Sequence, residues 1–177
     1  IEQPAARHGV LFEDGLVETI LRDLVGQPGG LPLLQYTLDR LWQEAAPGES
    51  SRRLRKSSYD SLGGVRGALR QHADALYDYR HADPATPRPE DEREALRRVF
   101  LRLVDLSDSG DGAESARAVS HRAPLTLFGE AEKILIGELA DEKLLVTGRG
   151  ESDVGTVELA PEALPTAWPK LRDWIDQ

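Results

Sequence analysis

GEAEKILIGELADEKLLVTGRGESDVGTVEL, residues 129–159, is the stretch that decides the fold. In its first half, residues 129–141, Ala131, Ile134, Leu135 and Leu139 recur at the three- and four-residue spacing of an amphipathic helix, and this face is expected to turn inward. The period then changes. Residues 144–147 and 154–159 are short runs rich in Val, Leu and Thr, separated by Gly148, Gly150 and Gly155, and they predict a two-stranded hairpin. Ahead of this stretch, residues 124–127 read as a short helix. Behind it, Leu164, Trp168, Leu171 and Ile175 return to helical spacing, with Pro165 and Pro169 in a first turn or at a kink. Helix, short helix, helix, hairpin, helix is the order of a winged helix.

The residues upstream predict more helices. Leu16, Val17, Ile20, Leu21 and Leu24 form one apolar stripe, with Asp14 as the expected N-cap and Gly26 as the stop. Gly26, Pro28, Gly29 and Gly30 make a tight turn into a second helix with Leu34, Leu38, Leu41 and Trp42 on its apolar face. Residues 47–58 are polar, and their Arg52, Arg53, Arg55 and Lys56 read either as a phosphate patch or, more ordinarily, as a solvated basic loop. After Gly63-Gly64, a third helix carries Val65, Leu69, His72, Ala73, Leu76 and Tyr79, with His72 on a partly buried face. Pro84, Pro87 and Pro89 mark residues 81–89 as a linker. A fourth helix starts near Glu90, with Leu96, Val99, Phe100, Leu103 and Leu106 on one side, and ends in the loop from Ser107 to Gly112. The expected architecture is mainly α: a helical bundle subdomain over residues 1–85, then a winged-helix domain with a small β-hairpin over 86–177.

Composition narrows the function. The 177 residues hold 22 Lys+Arg against 31 Asp+Glu, a formal net charge of −9, with no Cys. That balance argues against nonspecific nucleic-acid or anionic-membrane binding, and zero Cys removes disulfides, thiolate metal sites and a cysteine nucleophile. No apolar run reaches the roughly 20 residues of a membrane span. The chain is therefore expected in the cytoplasm and, since it opens at Ile1 without Met, as a piece of a longer protein. A phosphate-cradling loop needs Gly-Lys-Ser/Thr, and no Gly-Lys pair occurs. The four His lack metal-pair spacing, and the Asp105 loop fails as a calcium frame because Ala116 stands where a bidentate Glu is required. No catalytic residue and no metal ligand is expected.

Gly30-Leu31-Pro32-Leu33-Leu34-Gln35-Tyr36, continuing to Leu41-Trp42, resembles the Gly-x-Pro motif of the STAND superfamily, the signal-transduction ATPases with numerous domains. In its setting it is most similar to the bacterial novel STAND NTPase family, often fused to WD repeats. The likeness runs on through Gly63-Gly64-Val65-Arg66-Gly67-Ala68-Leu69, Val99-Phe100-Leu101-Arg102-Leu103, Leu144-Leu145-Val146, Val157-Glu158-Leu159-Ala160 and Trp168-Pro169. The resemblance implies a helical lid and winged helix lying downstream of a P-loop ATPase core, closing over ADP or ATP held by that core and bound by no cofactor alone. By the same resemblance Gly30, Pro32 and Leu33 lie at the adenine, and Arg117 makes a charged nucleotide or interdomain contact. The implied partners are the P-loop domain of the same polypeptide and a downstream sensor or repeat domain. Pro32 also reads simply as a helix-initiating proline, and Arg117 as a surface arginine.

Two departures stand against the family pattern. Glu114-Ser115-Ala116-Arg117 replaces Asp-Thr-Arg-Arg, and Ala160-Pro161-Glu162-Ala163-Leu164 replaces Ala-His-Glu-Ala-Leu, where the His resembles a phosphate sensor. Pro161 neither donates a hydrogen bond nor titrates. A degenerate interaction scaffold without nucleotide binding is the alternative these losses favour. A DNA-binding winged helix is disfavoured, because residues 129–141 hold Glu130, Glu132, Glu138 and Asp141 against Lys133 alone. Trp42 and Trp168 are expected in the core, and Trp174, near the end of the chain, at the surface.

Overall fold

The computed structural model describes residue 7 and residues 9–25, 30–45, 52–107, 117–150, 153–160 and 163–177, with Leu106, Ser107 and Arg117 described by backbone alone. The protein is mainly α-helical and divides into two compact units, Ile1–Leu69 and Arg70–Gln177. The division falls inside a helix, ahead of the Pro-rich stretch that the sequence marks as a linker.

In the first unit, β1 (Val10–Phe12) leads into α1 (Leu16–Leu24), α2 (Gly30–Glu44), β2 (Arg52–Leu54), α3 (Lys56–Leu62) and the first turns of α4 (Gly64–Asp78). Helix α1 is capped by Gly15, at φ 78°, rather than by Asp14. Its core face is Leu16, Val17 and Ile20, while Leu21 stays exposed. In α2 the buried residues are Leu33, Tyr36, Thr37 and Leu41, a stripe rotated from the expected one, and Thr37 satisfies its hydroxyl by donating to the Leu33 carbonyl at 2.7 Å. Trp42 is consequently not a core residue: it is 39% exposed, and the Arg52 guanidinium lies 4.0 Å from its ring centroid. Such cation–π stacking lets a long cation cover an aromatic face that the core does not reach. The expected polar loop at 47–58 is ordered over its described part, where β2 pairs parallel with β1 and α3 follows. The Gly26–Gly29 turn lies outside the described residues.

The second unit holds the rest of α4, then α5 (Glu90–Leu101), the antiparallel pair β3 (Val104–Ser107) and β4 (Arg117–Ser120), β5 (Ala123–Pro124), a 3₁₀ turn Leu125–Leu127, α6 (Glu130–Asp141), β6 (Leu145–Arg149), β7 (Gly155–Leu159), α7 (Leu164–Ala167) and α8 (Pro169–Ile175). The predicted hairpin β6–β7 is present and gains β5 on its open side, so the antiparallel sheet has the order β5-β7-β6. Helix α5 ends at Leu101, short of the predicted end, because the backbone from Val104 is drawn into a ladder with β4; Leu103 remains buried from the turn between them. The final segment is two helices, each with Pro in its first turn, and Trp168 between them is extended at φ −109° and ψ 101°. Trp168 is fully buried, as expected, and its indole Nε1 donates to Asp74 at 2.8 Å. Trp174 is only half exposed, since it packs 5.2 Å from the Trp168 ring and 5.2 Å from Tyr77.

The expected linker at 81–89 is instead a buckle. Tyr79 bridges Pro87, the Arg80 N–H donates to the Thr86 carbonyl and the Arg88 N–H donates to the Asp78 carbonyl. The Arg88 side chain is fully buried: Nε donates to the Leu76 carbonyl at 2.7 Å, Nη1 to Glu92 at 3.1 Å and Nη2 to Glu138 of α6. His81 and Ala82 hold φ of 50° and 54°, in the left-handed region, within this closed loop.

Helix α6 buries Glu132, Leu135, Ile136 and Leu139, whereas Ala131 and Ile134, expected inward, face solvent. Glu132 decides this rotation. Its carboxylate accepts the Gly129 N–H at 3.1 Å, Arg98 Nε at 3.2 Å and Arg102 Nη1 at 3.0 Å. Burial alone would push this carboxyl up, but the Gly129 amide and the two guanidinium groups outweigh burial and hold it below the ordinary glutamate range. The sign follows from linkage. A lowered folded value contributes stability that is present above the unfolded value of about 4.3 and is lost as pH falls through the folded value. Glu132→Gln is therefore expected to be less stable than wild type at neutral pH and to flatten the acid limb of a melting-temperature profile taken down to about pH 3. Parallel acid limbs in the two proteins would exclude this role for Glu132.

Candidate functional site

The first turn of α2 carries three of the residues singled out in the sequence. Gly30 opens the helix, and a Cβ placed on it would meet nothing nearer than 3.9 Å, at Leu24, so no described neighbour within the unit demands glycine here. Pro32 follows in the same turn, where its missing N–H is no loss because first-turn amides have no intrahelical acceptor. Its ring is part-exposed. Leu33 has no exposed surface at all and belongs to the core. The apolar side chain presented outward is Leu31, 78% exposed, and Val25, just past the C-terminus of α1, is 80% exposed. Neither stands out in the sequence, because each reads there as one more apolar residue in a run; only the burial of Leu33 shows which side of the turn faces out.

Val25 also lines a cleft of about 380 Å³, together with Arg22, Asp23, Gly63, Gly64, Val65 and Arg66. Two turns of chain make this cleft, the end of α1 and the α3–α4 connection. Gly63 caps α3 at φ 80° and Gly64 follows at φ 69°, a pair of left-handed residues that glycine adopts without strain. The connection is tight, since a Cβ on Gly67 would lie 1.7 Å from the Leu62 carbonyl oxygen. Beneath it, Tyr59 is buried, donates its hydroxyl to Asp23 Oδ2 at 2.5 Å and accepts the Val65 N–H. Burial first and the Asp23 carboxylate second push the Tyr59 phenol well above its ordinary range. It therefore remains a hydrogen-bond donor throughout the physiological range and fixes the rotamer of Asp23 at the cleft. A Cβ on Gly64 would come within 3.4 Å of the Tyr59 hydroxyl and 3.5 Å of Asp23 Oδ2, tight enough to crowd this pair.

Arg117 opens β4, opposite Ser107 in the antiparallel register, and so belongs to the second unit, while Gly30, Pro32 and Leu33 belong to the first. Ala116 and Pro161, the two departures, lie outside the described residues. Among the described residues no group of three His, Asp or Glu side chains could hold a metal ion, and no helix is long and apolar enough to cross a membrane.

The first turn of α2 thus displays Leu31 outward with Pro32 part-exposed, and the cleft is made by the end of α1 and the α3–α4 connection. The chain matches a family of NTPases over residues 1–177. The chain belongs to the novel STAND NTPase 1 family. No curated protein and no solved structure matches it.

Proposed function

We propose that this chain is the helical lid and winged-helix region of a cytoplasmic, nucleotide-dependent signalling switch, closing over ADP or ATP held by a P-loop domain of the same polypeptide. The observation that carries this reading is the outward display of Leu31 and part-exposed Pro32 on the first turn of α2. Apolar groups at a helix start, without a backbone donor at the proline, suit the face of an adenine ring and the rim of the domain beneath it. The winged-helix part of the reading is supported by the sheet order β5-β7-β6 around α6. A nucleotide shifts such a switch only through contacts that differ between closed and open states, so a lid displaying its contact groups is the minimum requirement.

The alternative of a DNA-binding helix finds no support on α6. Glu132 and Glu138 face inward to arginines, and the lysine of this helix, Lys133, is paired with Glu130 at 2.6 Å. No cation on α6 is left for a phosphate backbone.

Calorimetric titration of ADP and ATP tests the proposal, using the longer polypeptide that includes a P-loop region and, in parallel, residues 1–177. Binding is expected for the longer protein and none for residues 1–177. In the longer protein Leu31→Asp, a change at an exposed position, is expected to weaken ADP by about tenfold, or about 1.4 kcal/mol. Unchanged affinity in that variant would remove the first turn of α2 from the nucleotide site, and no binding by the longer protein would favour the degenerate scaffold that Ala116 and Pro161 suggest.

A further inference from the structure

Strands β1 and β2 pair parallel with Leu11 directly opposite Arg53, between the pairs Val10–Arg52 and Phe12–Leu54. Side chains alternate along a strand and opposed residues share a face. One face of the pair is occupied: Leu54 is buried, β2 packs on α2, and Arg52 lies over Trp42. On the other face Leu11 is 40% exposed and Arg53 is exposed. The backbone is still extended at Arg55, with φ −104° and ψ 145°, so its exposed side chain falls two residues along on the same side as Arg53. Parallel strands are ordinarily covered on both faces, and two strands alone are marginal in water. Among the described residues the outer face of this parallel pair is left open at Leu11 and Arg53, which calls for a cover.

Charge indicates what kind. In a chain of net charge −9, this face gathers Arg53 and Arg55, and Lys56 begins the next helix. Glu13, exposed just past the end of β1, accepts the Lys56 N–H on Oε2 at 2.7 Å and makes no ion pair with either arginine among the described residues. Among the described residues neither Arg53 nor Arg55 makes an ion pair. Two forked cations on one strand facing an apolar side chain on the other fit a segment with carboxylates along one side of an apolar side chain, because guanidinium groups take carboxylates bidentately. A nucleic acid needs a longer row of cations than this to overcome the negative charge of the rest of the chain.

We propose that the outer face of β1–β2 is a docking surface for an acidic protein segment, with an apolar residue of the partner over Leu11 and its carboxylates on Arg53 and Arg55. The surface stands independently of the nucleotide-switch reading, because it uses none of the residues on the first turn of α2 or in the cleft. Fluorescence anisotropy of a labelled helical leucine–glutamate peptide, titrated with the 177-residue chain, tests it. A leucine–lysine peptide and single- and double-stranded DNA oligonucleotides are the comparison probes. The leucine–glutamate peptide is expected to bind saturably and more weakly as salt rises, and Arg53→Glu with Arg55→Glu is expected to weaken it at least about tenfold without moving the thermal melt. Should that double variant melt differently, Arg53→Gln with Arg55→Gln is read in its place, with a loss in the same direction. Absence of binding, equal binding by the variants, or tighter binding of either DNA or the lysine peptide overturns the proposal.

Discussion

Gly67→Ala is expected to destabilise the Ile1–Leu69 unit by about 4 kcal/mol or more, at the extreme of what single substitutions do. The added methyl would sit 1.7 Å from the Leu62 carbonyl oxygen and 2.6 Å from its carbon. Both atoms are backbone, so no rotamer change relieves the overlap. The only escape is to open the α3–α4 connection, which breaks the Gly67 N–H···Gly63 carbonyl bond of 3.2 Å and pulls Gly64 off the Tyr59–Asp23 pair. Gly137→Ala is the matched control, because a Cβ there meets nothing within 4 Å in the interior of α6, and exchange of glycine for alanine in a helix gains up to about 1 kcal/mol. Denaturant unfolding followed by amide hydrogen exchange separates the two units. Protection should fall in α1–α3 for Gly67→Ala and hold or rise in α6 for Gly137→Ala. A Gly67→Ala protein within about 0.5 kcal/mol of wild type would show that the α3–α4 connection yields to a methyl group and would overturn this prediction.

The second large effect is expected at Arg88. Arg88→Ala removes a fully buried guanidinium that serves the Leu76 carbonyl, Glu92 and Glu138 together. Glu92 keeps Arg80, but Glu138, with its side chain only 11% exposed, and the Leu76 carbonyl lose their side-chain cation. Leaving one charge of a buried pair behind costs about 3–5 kcal/mol, whereas replacing both by apolar groups is often close to neutral. Arg88→Met with Glu138→Leu is accordingly expected to recover much of the loss, and a double-mutant cycle in urea measures it. Arg88→Lys should rescue little, because an ammonium does not reproduce the fork that reaches three acceptors. If the two single losses simply add in the double variant, the pair is not coupled, and the buckle at 79–88 is held by its backbone bonds alone.

These two sites also show what the sequence did and did not disclose. The helix and hairpin at 129–159 were legible because a change of period from about 3.6 to 2 survives any rotation of the helix. Rotation itself was not legible. Ile134-Leu135-Ile136 offers two overlapping stripes, and the choice between them is made by Glu132, whose partners Arg98 and Arg102 lie some thirty residues upstream. Strand β2 was hidden for a similar reason: a three-residue Arg-Arg-Leu run has too little periodicity to read, and it is a strand because β1 lies beside it. In the Pro-rich stretch read as a linker, nothing local marks Arg88 as buried, and it is buried because Glu92 and Glu138 close around it. For the site, the Gly30-Leu31-Pro32 turn and Gly63-Gly64 were visible as motifs. The Tyr59–Asp23 bond that joins the second motif to the end of α1 spans 36 positions and leaves no local signal.

The break at Trp168 between α7 and α8 has a consequence of another kind. It seats two indole rings 5.2 Å apart and 75° from parallel, with the Tyr77 ring against both. Chromophores so close and so steeply inclined share their excitation, which gives the C-terminal end of the chain an optical signature of its own in the ultraviolet. Peeling α8 away would separate Trp174 from Trp168 and erase that signature while Trp168 stayed hydrogen-bonded to Asp74. The molecule thus carries an unlabelled gauge of whether its last helix is seated.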